Sequence, residues 1–523
     1  MRSNIRYIAI LVLALFCLSF DKATSPLPLP SPEATSSISA RDLKRHLSFL
    51  ASTELGGRYT ISPSNLIAAR YLASELEYYG FRGAAGGGLF FQKVPLVFSH
   101  VDTSLSTLTI KHSGVASTFK FGNDFIEPES VDLRLAGQLV FAGYGISSPR
   151  NNYDDYAGIN VNGKVVVVVH GTPEKLKGIK IDDSEKDDGA ARAHGAAGEI
   201  AVDRPEFSDI WAEQRERSDD EPTLPPHRRP EDFPEILAGP RLTTQIAELL
   251  GQPPSYMHPG GKAVHSQLID ASIQISVKVA SKPAPAAQNV VGILDGSDPV
   301  LKDEFVVLSA HYDHLMTRGN QIYRGADDDG SGTVSVLEIA QAFAKQRPKR
   351  SILVVFHTGE ELGLYGSEYN TDYAPVVPLS KLVCDLNIDM VGRSRPPGDT
   401  DPQDAALTDK NSIYIIGADK LSTELNQISE QTDQDTERFR FDYTYNDEAN
   451  PERFYYRSDH YNYAKHGIPI IFYFTGVHRD YHQPTDTVEK IDFEKMERID
   501  RMIFATGWRI GNLDHRLTVD KKP

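Results

Sequence analysis

Four stretches in the second half of the chain each run from continuous apolar residues into polar or charged ones: "FVVLSAHYDH", "SILVVFHTGEE", "LVCDLNIDMVG" and "IPIIFYFTG". A strand that is apolar on both faces must be covered on both sides. Several of them separated by helical patterns specify a largely parallel sheet flanked by helices. One such helix is legible between the first two runs, where "TVSVLEIAQAFAKQ" sets Val336, Ile339, Ala340, Phe343 and Ala344 on one face. The expected fold class is therefore α/β, with a mixed, mostly parallel sheet. Ligands in such sheets bind beyond the carboxyl ends of the strands, where these runs turn from apolar to charged.

The first half reads differently. Arg2 and Arg6 precede the apolar run at 8–20, and the small-residue site "ATS" ends at Ser25. This is the pattern of a cleaved signal peptide over 1–25, since 13 apolar residues are too few to span a bilayer comfortably. Export to the periplasm or outside the cell is expected, with no stable membrane span in the mature chain. Bulky Phe16 makes Cys17 a poor lipidation site. Cys384 is then the only cysteine of the mature chain, so no intrachain disulfide forms.

A Pro- and Ser-rich stretch, 26–38, is expected to be an extended tether. Two amphipathic helices follow, in "RDLKRHLSFLAS" and "SPSNLIAARYLASELEYYGF". Composition shifts near residue 133 to short β-branched runs bounded by glycine, such as "GKVVVVVHG", and "SIQISVKVAS" at 272–281 alternates as a half-buried strand does. We read 39–132 and 284–515 as one domain, 133–283 as a β-rich module set into it, and 516–523 as a tail. The charged, Pro-rich 203–233 reads as a surface loop.

A net charge of −17 over 523 residues argues against a nucleic-acid-binding surface. It also sharpens the question of "GADDDGSG", where Asp327, Asp328 and Asp329 are consecutive. Adjacent carboxylates oppose one another's ionisation unless positive charge lies among them. Successive strand ends supply further candidates: His311 and Asp313 in "AHYDH", Glu360 and Glu361 in "TGEELG", Asp389 in "NIDMVG", and His482 in "RDYHQPTDT". Taken singly, a histidine at a strand end is a hydrogen-bonded structural residue and an acidic turn is a solvated loop or helix cap. Their coincidence in one α/β half points to a divalent cation held by nitrogen and oxygen, which suits zinc, manganese or cobalt better than calcium.

These motifs, in this order, resemble the co-catalytic zinc aminopeptidases that include bacterial leucyl aminopeptidase and aminopeptidase Y, a family that also contains glutamate carboxypeptidase. The helices from "LASTELGGRYT" onward are similar to the family's N-terminal segment, and "VFAGYGI" with "YDDYAGINVNGKVVVVVHG" resembles an inserted protease-associated domain. The resemblance implies a zinc exopeptidase fold with two zinc ions bridged by Asp327. His311 and Asp389 would complete one ion, and Glu361 and His482 the other. Glu360 would be the general base acting on a metal-bridged hydroxide, and Asp313 would orient His311. Tyr455 or Tyr456 could donate to the oxyanion or simply pack against the site wall; Asp328 and Asp329 could cap the following helix or support the ligands. The implied activity is removal of N-terminal residues from peptide substrates. A glutamate-releasing carboxypeptidase and a non-catalytic, receptor-like binding protein of the same fold are the alternatives.

Overall fold

The computed structural model describes residues 28–202, 208–210, 222–225, 233–258, 260, 262, 264–447 and 450–522. The expected signal peptide and most of the charged loop at 203–233 lie outside the described residues.

A nine-stranded sheet carries the second half of the chain. Its centre is four adjacent parallel strands in the order Ser351–His357, Phe305–His311, Leu382–Ile388 and Ile470–Phe474. These are the four apolar runs, and nearly every residue in them is buried, as strands covered on both faces require. Antiparallel strands flank them: Ala287–Leu294 beside 351–357, and Ser412–Ile416 beside 470–474. The fold class is thus the mixed, mostly parallel α/β arrangement expected.

Helix Gly330–Lys345 lies against one face. It buries Val336, Ile339, Ala340 and Phe343 as the periodicity predicts, and also Val334, Leu337 and Ala342, because helices Ala40–Leu50 and Phe493–Gly511 close over its outer side. The two N-terminal helices form as expected, Ala40–Leu50 capped by Ser39 and Pro63–Tyr78 capped by Ser62. The presumed tether does not stay extended. Ser31 caps a short helix, Pro32–Thr35, while Ala34 and Ile38 are buried against the main core. A Ser-Pro-Glu sequence is a helix start as well as a linker composition, and burial of two apolar side chains decides in favour of order.

A second, eight-stranded sheet runs in the order Val115–Lys120, Thr107–His112, Gln267–Val277, Leu133–Phe141, Val165–Val169, Gly198–Val202, Glu235–Ala238, Phe125–Ile126. Its own core includes Val165–Val169, Ile200, Ile236 and Ile246. Strand 267–277 alternates buried and exposed as its sequence does. The expected boundary at 133 falls inside this unit: strand 107–112 already belongs to it through antiparallel pairing with 267–277, and strand 115–120 joins by pairing with 107–112. A two-stranded antiparallel ribbon, Val97–Val101 with Val279–Pro283, carries the chain into this sheet and out again.

Candidate metal centre

His311 ends strand 305–311, Glu360 and Glu361 follow strand 351–357, and Asp389 follows strand 382–388. These three strands are neighbours, so their carboxyl ends converge. The structure gathers the side chains into two groups of potential ligand atoms, His311, Glu360 and Asp389 in one and His314, Asp328 and Glu361 in the other.

Asp328 stands between the groups. Its Oδ1 is 3.3 Å from His311 Nε2, and its Oδ2 is 3.0 Å from His482 Nε2 and 3.8 Å from His314 Nδ1. His311 Nε2 lies 3.8 Å from Asp389 Oδ1 and 3.7 Å from Glu360 Oε2. Glu361 Oε2 is 3.1 Å from His482 Nε2, and its Oε1 takes a 2.6 Å contact from His314 Nδ1.

These spacings fit a divalent ion. Ligands about 2.0–2.1 Å from tetrahedral zinc lie roughly 3.3 Å from one another. His482 Nε2 and Asp328 Oδ2 are buried and close, yet neither makes a well-aligned hydrogen bond. They aim at a shared point rather than at each other.

The hydrogen bonding around the groups sets their chemistry. His311 Nδ1 donates to the main-chain oxygen of Asp313 at 3.2 Å, which leaves the Nε2 lone pair directed into the cluster. The Asp313 carboxylate accepts from Thr60 Oγ1 (2.8 Å) and from the Glu360 backbone N–H (3.3 Å). The Asp313 carbonyl is thus the hydrogen-bond acceptor for His311 Nδ1, with the Asp313 carboxylate 3.8 Å away.

Charge is concentrated here. Burial pushes Glu360 up, and the carboxylates of Glu361, Asp389 and Asp459 add to it, so its carboxyl is held well above the usual range. Burial would also raise Asp328, but His311 and His482 outweigh it and hold that carboxyl well below its usual value. His482 is pushed down by burial and more strongly up by Asp328 and Glu361, to about 10. Both imidazoles are drawn to hold protons among the carboxylates, and a dication placed there would displace those protons.

The three consecutive aspartates divide their work. Asp327, expected to bridge, faces away from both groups: its Oδ1 accepts from the Gly392 backbone N–H at 2.7 Å and its Oδ2 from His478 Nε2 at 3.1 Å. Asp328 occupies the shared position instead. Asp329 caps helix 330–345 through Gly332 N–H (2.8 Å) and also accepts from Met390 N–H (3.1 Å). The turn itself is held by Asp486, whose Oδ2 accepts from the backbone N–H groups of Asp327 (2.9 Å) and Asp328 (3.3 Å).

A pocket opens beside the first group. His311, Asp328, Glu360 and Asp389 line one side; Met390, Phe454, Phe472, Phe474 and Val477 line the other, with Arg457 and Tyr481. Tyr455 and Tyr456 are not among its lining residues. Tyr455 packs into the apolar cluster around Leu421, Ile468 and Tyr463, and Tyr456 lies under the Arg453 guanidinium. Tyr481, stacked on His482 with ring centroids 3.9 Å apart, is the tyrosine that lines the pocket. Its place directly before a candidate ligand was the available clue. His357 Nε2 lies 3.2 Å from the Tyr463 hydroxyl and His460 Nε2 donates to the Tyr455 carbonyl at 2.8 Å, and burial pushes both imidazoles down to about 3.

The N-terminal segment braces the site. Arg58, 1% exposed, donates to the carbonyls of Tyr312 (2.8 Å), Leu50 (2.8 Å), Arg324 (2.7 Å) and Gly325 (3.0 Å). It ties helix 40–50 to both ligand-bearing turns.

Residues 289–507 match Peptidase family M28. A "Probable zinc metalloprotease" of Pyrenophora tritici-repentis is 29% identical over 280 residues, 46% of this chain and 56% of that protein. "Aminopeptidase YwaD" of Bacillus subtilis is 24% identical over 252 residues, 47% of this chain and 50% of that protein. The chain therefore spans about half the length of these curated relatives. Among solved structures, an aminopeptidase from Aneurinibacillus sp. strain AM-1 aligns with 94% of this chain and 98% of its own, at 18% identity and a TM-score of 0.46.

Proposed function

Because residues 289–507 match peptidase family M28, we propose that the two ligand groups hold two divalent ions, zinc in the first instance, and that the protein is an exported aminopeptidase. The observation that carries this reading is the placement of Asp328, one carboxylate oxygen toward His311 and the other toward His482. In it, His311 and Asp389 would hold one ion and Glu361 and His482 the other, with Asp328 available to both.

Bound dications supply Lewis acidity, lowering the pKa of a water towards neutrality and polarising the scissile carbonyl. The rest falls to the chain's own residues. Glu360, buried and held high by its neighbours, takes a proton from the attacking water and passes it to the departing amine. The Tyr481 hydroxyl is the donor placed to stabilise the developing oxyanion. Met390, Phe454, Phe472, Phe474 and Val477 receive an apolar side chain of the substrate's first residue. His314, bonded to Glu361 Oε1, keeps that carboxylate turned so that Oε2 faces His482.

Arg457, a cation on the pocket wall, favours one second reading, a carboxypeptidase that recognises an acidic group. Hydrolysis of aminoacyl amides, against the same peptides with blocked N-termini, separates the two. Protein stripped of metal and titrated with zinc should regain activity only on free N-termini and saturate near two zincs per chain. Cleavage of the blocked peptides would move the assignment to the carboxypeptidase, and no return of activity with metal would remove both.

A further inference from the structure

Behind Asp389 lies a row of buried polar groups that the reaction above does not use. Ser458 Oγ is 2.7 Å from Asp389 Oδ2, Asn387 Nδ2 is 3.0 Å from Ser458 Oγ, and Asn387 Oδ1 is 3.0 Å from Ser309 Oγ. Ser309 Oγ is in turn 2.7 Å from Asp385 Oδ1. Ser309, Asp385 and Asn387 sit on the paired central strands, and all three are 0% exposed.

Proton counting fixes the direction of every bond in this row. A carboxylate that ligates a cation has no proton, so Ser458 must donate its own to Asp389. Having one proton only, Ser458 Oγ can then do no more than accept, from the Asn387 amide NH2. That orients the amide with its carbonyl oxygen towards Ser309, which must donate to it. Ser309 now presents only lone pairs to Asp385 Oδ1, and two oxygens at 2.7 Å with no proton between them repel. The missing proton has one source.

We propose that Asp385 is a protonated carboxylic acid that starts a one-way donor chain, through Ser309, Asn387 and Ser458, ending on Asp389. Asp385 is then a positioning residue for the first ion, acting through three neutral side chains. The inference rests on the reading of Asp389 as a ligand. Three further observations agree with it. The second oxygen of Asp385 is buried without a hydrogen-bond partner, a place a neutral acid occupies at far lower cost than a carboxylate. The ionisable groups that act across space on Asp385 are Asp459 and Tyr463, both of them acids, while Cys384 next to it in the strand points to the other face. Burial, with Asp459 adding to it, pushes the Asp385 carboxyl up to about 8.

The test is zinc binding to the metal-stripped full chain, by chelator competition at pH 7 and pH 9, together with infrared difference spectra of the zinc-loaded protein. The wild type should show a protonated-carboxyl C=O band at pH 7 that is missing in Asp385→Asn. Ser309→Ala, which cuts the chain without placing a charge in the core, should weaken binding of one zinc by roughly 10–100-fold, the usual scale for outer-shell changes. Asp385→Asn, whose amide N–H donates to Ser309 at any pH, should bind zinc as the wild type does at pH 7 and keep that affinity at pH 9, where the wild type loses some. Zinc-loaded wild type without the Asp385 band, or Ser309→Ala binding both zincs normally, would overturn the inference alone. A wild type that binds no zinc would overturn the ligand reading and this one with it.

Discussion

The adjacent aspartates 327 and 328 offer a paired experiment in which one substitution attacks the fold and the next attacks the metal. Asp327 accepts two buried hydrogen bonds, from Gly392 N–H and from His478 Nε2. Asparagine can keep its oxygen for one of these donors, but its NH2 must then face the other. His478 cannot escape by changing tautomer, because its Nδ1 already accepts from the Asp480 N–H at 3.2 Å. The loss is one charge-assisted hydrogen bond, about 1.5–3 kcal/mol, plus a donor left buried and unpaired, about 1–3 kcal/mol. Asp327→Asn should therefore destabilise the chain by roughly 3–5 kcal/mol in urea unfolding with EDTA present, while the folded protein still binds two zincs. Asp328→Asn strikes the metal instead. It removes the carboxylate that His311 and His482 hold ionised, so some metal-free stability goes with it, but zinc affinity falls by more than the roughly 10–100-fold that outer-shell changes cost. If Asp327→Asn lost zinc at unchanged stability while Asp328→Asn bound two ions normally, the assignment of Asp328 as the shared ligand would be wrong.

Three further outcomes are expected. Glu360→Gln should retain zinc but lose roughly 10²-fold or more in turnover; near-normal activity would remove Glu360 as the base. Burial pushes Asp155, in the second sheet's unit, up to about 6, so its folded-state pKa exceeds the unfolded one. Its contribution is fully present below about pH 4 and is lost as pH rises through 6, a difference of about 3 kcal/mol between the limits. Asp155→Asn should flatten this dependence, read as the difference between variant and wild-type unfolding curves from pH 4 to 7, and identical curves would refute it. Arg58→Lys keeps the charge but cannot reach four carbonyls at once, so it should lower the unfolding midpoint and weaken zinc retention together; a change in neither would show that the brace is dispensable.

The central sheet was legible because doubly covered strands leave continuous apolar runs, and the candidate site because three of the four runs end in a metal-binding residue type and a histidine follows the fourth. What could not be read was which of three identical neighbours faces the cluster. That choice is made by His478 and Gly392, which approach Asp327 from 151 and 65 positions away, and nothing local in "DDD" records it. The tyrosine that lines the pocket could not be picked out for a related reason: Tyr455 and Tyr481 are both aromatic residues near the last strand, and only packing decides which of them lies beside Glu360 and Asp328. The start of the second sheet's unit was misjudged because strand 107–112 becomes part of it by pairing with residues more than 160 positions later, bringing its hairpin partner 115–120 along. The helix at Pro32–Thr35, by contrast, had its cap and its proline in plain view.

The ribbon of Val97–Val101 and Val279–Pro283 makes the second unit, topologically, one very long hairpin loop. Val101 and Val279 are direct cross-strand partners, so everything between them enters and leaves at a single point. A whole sheet is accommodated at this spot at little conformational cost, since loop-closure entropy rises only slowly with length. An engineer can take it out: replacing 102–278 with a two-residue Asn-Gly turn leaves the ribbon a simple hairpin. The shortened protein would reveal, by which peptides it newly cuts or ceases to cut, whether the second unit selects substrates or serves some purpose away from the metal.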